Sequence, residues 1–141
     1  GSDVSEQGFK YNNGVAVIPV KPTAELADSE KLKWSTMTKE ERQKMVRDIK
    51  SPVPEQQITQ EMRQKAFDNW ETTDDHGMVI MGIAKDQNGT KYYKVKNSWT
   101  ADGVYGGYFY ASESFVRYKT MDIMVNKNGI PAAIAKKMGL K

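Results

Sequence analysis

The amino-acid sequence predicts an α+β fold, with helices first and an antiparallel meander after them. Two observations carry this. Between Thr38 and Trp70 apolar residues recur three or four apart, as on the buried faces of helices. From Met78 the period changes. A continuous apolar run, Met78–Ile83, and a mixed one, Tyr92–Val95, flank the polar stretch Asp86-Gln87-Asn88-Gly89, which reads as a β-hairpin. Helices followed by consecutive antiparallel strands form an α+β pattern. The 141 residues suit a single domain, 1–141, large enough to close a core without disulfides.

The elements follow in order. Gly14–Val20, GVAVIPV, reads as a strand, and Pro19 implies an edge position because it offers no N–H to a ladder. Lys21–Lys33 is polar and without a strong period, so it reads as surface loop. Thr38 opens a helix with Glu41 three residues on, the capping-box pattern, and Met45, Val46 and Ile49 form its apolar side. The prolines of SPVPEQQ end it. Thr59 caps a second helix, QEMRQKAFDNW, with Met62, Ala66 and Trp70 on one stripe and Phe67 beside it. After the hairpin, in which Gly89 is free to take a positive φ, GGYFYAS is a third strand. Glu113–Val116 is a short helical turn and Tyr118–Val125 a closing strand. Pro131 suits the first turn of a last short helix and Gly139 its end. There is no internal repeat and no low-complexity tract.

Composition excludes several classes of function. The formal net charge is +3, with basic and acidic residues interspersed, so there is no nucleic-acid-binding arm. No apolar run approaches the roughly twenty residues needed to cross a bilayer, and no signal-peptide pattern stands at the start. The hydrophobic content of 38% and the three tryptophans suit a globular domain. With no cysteine, there are no disulfides, no thiolate metal sites and no thiol nucleophile within the chain. No metal and no cofactor is expected.

The single histidine, His76, stands at the entrance to the apolar run Met78–Ile83, which reads as a buried strand. Taken alone, His76 reads as a surface or capping histidine, Asn97 as a turn residue bonding nearby backbone, and Trp99 as core. The hairpin suggests a second reading. With a turn near Gln87-Asn88, His76 lies about eleven positions before the centre and Asn97 about ten after it, a separation at which strand partners approach within about 5 Å. An Asn97 amide oxygen accepting from one ring N–H fixes the tautomer and aims the other nitrogen at a third group. Trp99 then shields that bond from water. Histidine oriented by asparagine is the base-and-orienter half of a cysteine-nucleophile triad.

The segments DHGMVIMGI, KYYKVKNSW and GGYFYAS resemble the His and Asn strands of papain-like cysteine peptidases, more narrowly their bleomycin hydrolase and aminopeptidase C branch. Gly1-Ser2-Asp3-Val4 is similar to that branch's Gly-x-Asp-Val segment, Met62–Met78 to its helix leading to the histidine, and the final MGLK to its tail. The resemblance runs from Thr59 onward and more loosely from Gly1, with Lys21–Gln57 standing apart from it. Asp75 before the histidine and Thr100 after the tryptophan depart from the usual pattern.

The resemblance implies the C-terminal β-rich lobe of a papain-like fold, an antiparallel sheet or half-barrel with flanking helices. It implies His76 as catalytic base, Asn97 as its orienter, and Trp99 packing over them at the substrate. The tail carboxylate, at Lys141, would meet the amino group of a peptide substrate and make the enzyme an aminopeptidase. The cysteine would lie on an N-terminal lobe outside this chain, which alone would be inactive. The resemblance further implies a homo-oligomeric, cytoplasmic full-length protein. Two other classes stand beside this reading: a non-catalytic binding module with the same half-fold, and a structural lobe used in assembly.

Overall fold

The computed structural model describes residues 1–5, 9–20, 36–38, 40–41, 49, 52–101 and 103–140. Its centre is a five-stranded sheet of β1 (Phe9–Lys10), β2 (Val15–Ala16), β3 (Val79–Lys85), β4 (Lys91–Lys96) and β5 (Tyr108–Ser112), in the order β1-β2-β5-β4-β3. Neighbouring strands are antiparallel except for β2 against β5, which are parallel. Among the described residues, helices α1 (Gln60–Asp68), α2 (Glu113–Lys119) and α3 (Ala132–Lys137) accompany the sheet. The mixed α+β architecture is the one the sequence pattern predicts.

The β3–β4 hairpin forms where its turn chemistry puts it. Asp86 Oδ1 accepts from the backbone N–H groups of Asn88 (2.8 Å) and Thr90 (2.9 Å), and Gly89 takes φ +81°. Pairing then runs from Lys85↔Lys91 back to Val79↔Lys96, with a one-residue shift between Ile80 and Gly82. On the inner side, Val95, Phe109 and Ala111 join Tyr11, Ala16, Ile18 and Phe115 in the main core. Val17, Ile49 and Tyr92 make a second cluster. Ser112 ends β5 and caps α2, its Oγ accepting from Phe115 N–H at 3.0 Å. The same hydroxyl donates to Glu55, whose Oε2 also accepts from Ile18 N–H at 2.8 Å. Burial pushes the Glu55 carboxyl above its ordinary range, and these two hydrogen bonds offset it only in part.

Local signals at helix ends are met. Thr38 and Glu41 exchange the reciprocal bonds of a capping box, at 2.7 and 3.2 Å. Thr59 Oγ1 accepts from Met62 N–H at 3.2 Å. Gly139, with φ +66°, closes α3 in a Schellman arrangement, with Leu140 N–H on Ala135 O and Gly139 N–H on Lys136 O. Met45, Val46 and the Lys21–Lys33 stretch lie outside the described residues.

Four expectations are corrected. β2 is flanked by β1 and β5, so the strand read as an edge is interior; Pro19 lies beyond its paired residues, in an isolated bridge to Glu55. The α1 stripe breaks because the helix stops at Asp68: Trp70 turns into the left-handed region (φ +62°) and is 82% exposed, and Phe67 is exposed too. The apolar run of β3 is not buried. The strand is last in the sheet, and Val79, Ile80, Met81 and Ile83 are all exposed. Tyr118–Val125 makes no closing strand. Tyr118 and Lys119 finish α2, Thr120 makes one bridge to Ser2, and Ile123, Met124 and Val125 belong to no strand and are exposed. Among the described residues no helix is long and apolar enough to cross a membrane.

Candidate functional site

The site forms at the open end of the hairpin. Asn97 directly follows β4, its N–H bonded to Gly107 O at 3.0 Å. Continuing the Val79↔Lys96 pairing by one step sets Met78 across from Asn97, so His76 lies two residues further along the same face. The two side chains therefore meet on a diagonal rather than directly opposite, and the bulge is what brings them onto one face: the turn-side pairing carried outward would set Val79 across from Asn97, an odd three residues from His76. His76 Nε2 and Asn97 Oδ1 are 2.7 Å apart. The His76 backbone is fixed separately. Its N–H donates to Ser2 O at 3.0 Å, and its carbonyl accepts from Ser2 N–H at 2.9 Å.

Asn97 is buried, and its Oδ1 has a second donor, the Ser98 N–H at 2.7 Å. A backbone N–H only donates, so the atom it meets is the amide oxygen. The imidazole nitrogen facing that oxygen must then carry a proton. Neutral His76 is thereby held as the Nε2–H tautomer, which leaves the Nδ1 lone pair available. Asn97 Nδ2 is buried without a hydrogen-bond partner.

Trp99 lies over the imidazole, with ring centroids 4.9 Å apart and planes tilted by 40°. Edge contacts hold the indole from Tyr11 (5.1 Å) and Phe9 (5.8 Å), and the Tyr11 hydroxyl donates to Thr100 O at 2.9 Å. The indole remains 49% exposed, at the side of a depression lined by Phe9, Tyr11, Asn12 and Thr100. Asp75 is turned away: its Oδ1 accepts from Val4 N–H at 2.9 Å.

A sequence profile of the Peptidase C1-like family matches residues 25–140. The chain belongs to that family. It is the bleomycin hydrolase and aminopeptidase C family of cysteine peptidases, the branch that the His76 and Asn97 segments resemble. The match begins at residue 25, so most of the Lys21–Gln57 stretch set apart by its sequence pattern lies within the family region after all. No curated protein matches the chain.

For a member of a family of cysteine aminopeptidases, the chain is unusual in having no cysteine. Its structure brings together three of the four residues singled out by sequence, His76, Asn97 and Trp99. The fourth, Lys141, lies outside the described residues, which end with Leu140 just after α3. Sequence reasoning missed Ser98, whose part is played by its backbone alone and leaves no side-chain signal. It also missed Lys119, the last residue of α2, which reads as an ordinary surface lysine at a helix C-terminus. Among the described residues no three His, Cys, Asp or Glu side chains are grouped as a metal site.

Proposed function

We propose that this chain supplies the general base and its orienting group to a cysteine aminopeptidase whose thiol lies on residues outside the chain. The observation that carries the reading is the Asn97 oxygen shared by His76 Nε2–H and Ser98 N–H. It leaves Nδ1 as the nitrogen that takes the thiol proton. The resulting imidazolium keeps its bond to Asn97 through Nε2–H and later gives the Nδ1 proton to the leaving amine. Trp99 covers one face of the imidazole and limits the competition of water for the His76–Asn97 bond. The depression beside it has room for part of a peptide. Thiolate attack and stabilisation of the oxyanion supply most of the acceleration in such chemistry, so the chain by itself is inactive on peptides.

The test uses the protein joined to its thiol-bearing part and a peptide with a free N-terminus. His76→Ala should remove nearly all turnover, because the base transfers protons. Asn97→Ala should leave a measurable remainder, because the orienter acts only on tautomer and angle. Small, equal losses from both variants would contradict the assignment. One observation favours a second reading, an assembly module: the exposed apolar edge of β3, a surface of the kind used for association. Under that reading, both variants would leave turnover unchanged and oligomeric state would depend on β3.

A further inference from the structure

Residues Gly1–Val4 form an extended segment laid between two others. Ser2 bridges to His76 on one side and to Thr120 on the other. Beside the two backbone bonds to His76, Ser2 Oγ donates to Lys119 O at 3.0 Å, and Asp3 N–H donates to the same oxygen at 3.0 Å. Within this arrangement two charges are withdrawn from water. Asp3 is 1% exposed and Lys119 3%, with Nζ and Oδ2 3.6 Å apart.

Both charges are fully engaged. Asp3 Oδ2 accepts from Thr73 N–H at 3.0 Å, and its Oδ1 accepts from the N–H and hydroxyl of Ser5. Burial pushes the Asp3 carboxyl up, but the bonds from Ser5 and Thr73 and the Lys119 charge outweigh it and hold it below its ordinary range. Lys119 Nζ donates to Glu71 O at 3.1 Å and to Thr72 Oγ1 at 3.0 Å, and lies 4.8 Å from the Tyr118 ring centroid. Thus the pair grips residues 71–73, the run of chain that leads into His76. Desolvation of two ions makes such a pair a poor source of net stability. Its bonds instead fix one conformation of the backbone that carries the imidazole.

We propose that Asp3 and Lys119 are positioning residues for His76: their ion pair clamps Ser2 against the His76 backbone and so keeps the imidazole in reach of Asn97. The importance of this clamp for catalysis rests on the reading of His76 as the base; the clamp itself does not. A turnover assay that finds His76 dispensable would defeat that reading and leave the clamp standing.

His76 is the only histidine, so a single imidazole N–H resonance of this chain reports on the bond. The test variant is Asp3→Asn with Lys119→Met, which removes both charges and leaves neither unpaired. Its imidazole N–H should exchange with solvent at least about tenfold faster than in the wild type, while the β4 and β5 amide resonances stay in place. Thr59→Ala, which removes only the cap of α1, should leave the exchange unchanged. A folded double variant with wild-type imidazole protection and merely a lower melting temperature would overturn the proposal, as would equal acceleration by Thr59→Ala. Should the double variant not fold, native-state exchange of the wild type decides. Opening of the imidazole N–H together with the Ser2 and Asp3 amides supports the clamp; opening of the imidazole while those amides stay closed overturns it.

Discussion

Asn97 Oδ1 lies 2.7 Å from His76 Nε2 and 2.7 Å from the backbone nitrogen of Ser98. The second contact gives the first its meaning. A lone amide beside an imidazole is compatible with either orientation and either tautomer, whereas one oxygen shared by two donors is compatible with a single arrangement. The catalytic reading uses that arrangement, since it decides which imidazole nitrogen is free.

Replacing Asn97 with aspartate keeps an acceptor for both donors and removes the buried, unpartnered Nδ2. It also sets a charged acceptor against Nε2–H, which makes the hydrogen bond shorter and stronger. Asn97→Asp should therefore move the His76 Nε2–H proton resonance downfield and slow its exchange with solvent. Proton NMR of the lone histidine reads this directly. A resonance that neither moves nor gains protection would show that residue 97 does not contact the ring in solution.

Two carboxyls, the half-buried Glu55 and the buried Asp3, predict opposite pH slopes of stability. Glu55 has a raised value, so its contribution is fully present below its unfolded value of about 4.3 and is lost as pH rises through the folded one. Asp3 has a lowered value, so its contribution is present above about 3.9 and is lost as pH falls through the folded one. Glu55→Gln should therefore abolish the decline in stability above pH 4.3 and be at least as stable as wild type at pH 7. Glu55→Ala, which strands Ser112 and the Ile18 N–H, should cost about 1–3 kcal/mol. Urea unfolding at steps from pH 3 to pH 8 distinguishes these outcomes.

Trp70 occupies the left-handed region just past the α1 C-cap, at φ +62°, with its ring mostly in solvent. A non-glycine residue there carries strain of about 1–2 kcal/mol, and glycine carries none. Trp70→Gly should leave stability unchanged or raise it by up to about 1 kcal/mol, after the greater chain entropy of glycine is counted. A loss above 2 kcal/mol in thermal unfolding would mean that the indole is packed in solution.

Much of this was legible in the sequence for identifiable reasons. The Asp86–Gly89 turn, the Thr38 and Thr59 caps and the Gly139 stop are local signals, encoded within a few residues, and each formed as expected where the chain is described. The His76–Asn97 approach was legible because a hairpin turn sets the register of everything outward from it. The bulge near Met81 moves that register by one residue and brings the pair onto one face, where they meet on a diagonal. Burial was less legible. Ile80 and Ile83 read as core because they are apolar, but the position of β3 at the end of the sheet is decided by pairing between distant segments. The same limit applies to Ile123–Val125, which have strand-like residues and, among the described residues, no strand to pair with. The Asp3–Lys119 contact joins residues near opposite ends of the chain, and no local pattern announces it.

The most direct test of the account is the nitrogen-15 spectrum of the His76 imidazole near neutral pH, in the wild type and in Asn97→Ala. The account predicts a protonated Nε2, an unprotonated Nδ1 and a slowly exchanging Nε2–H in the wild type, with that protection lost in the variant. An Nδ1–H tautomer in the wild type, or an Nε2–H equally protected without Asn97, would contradict it.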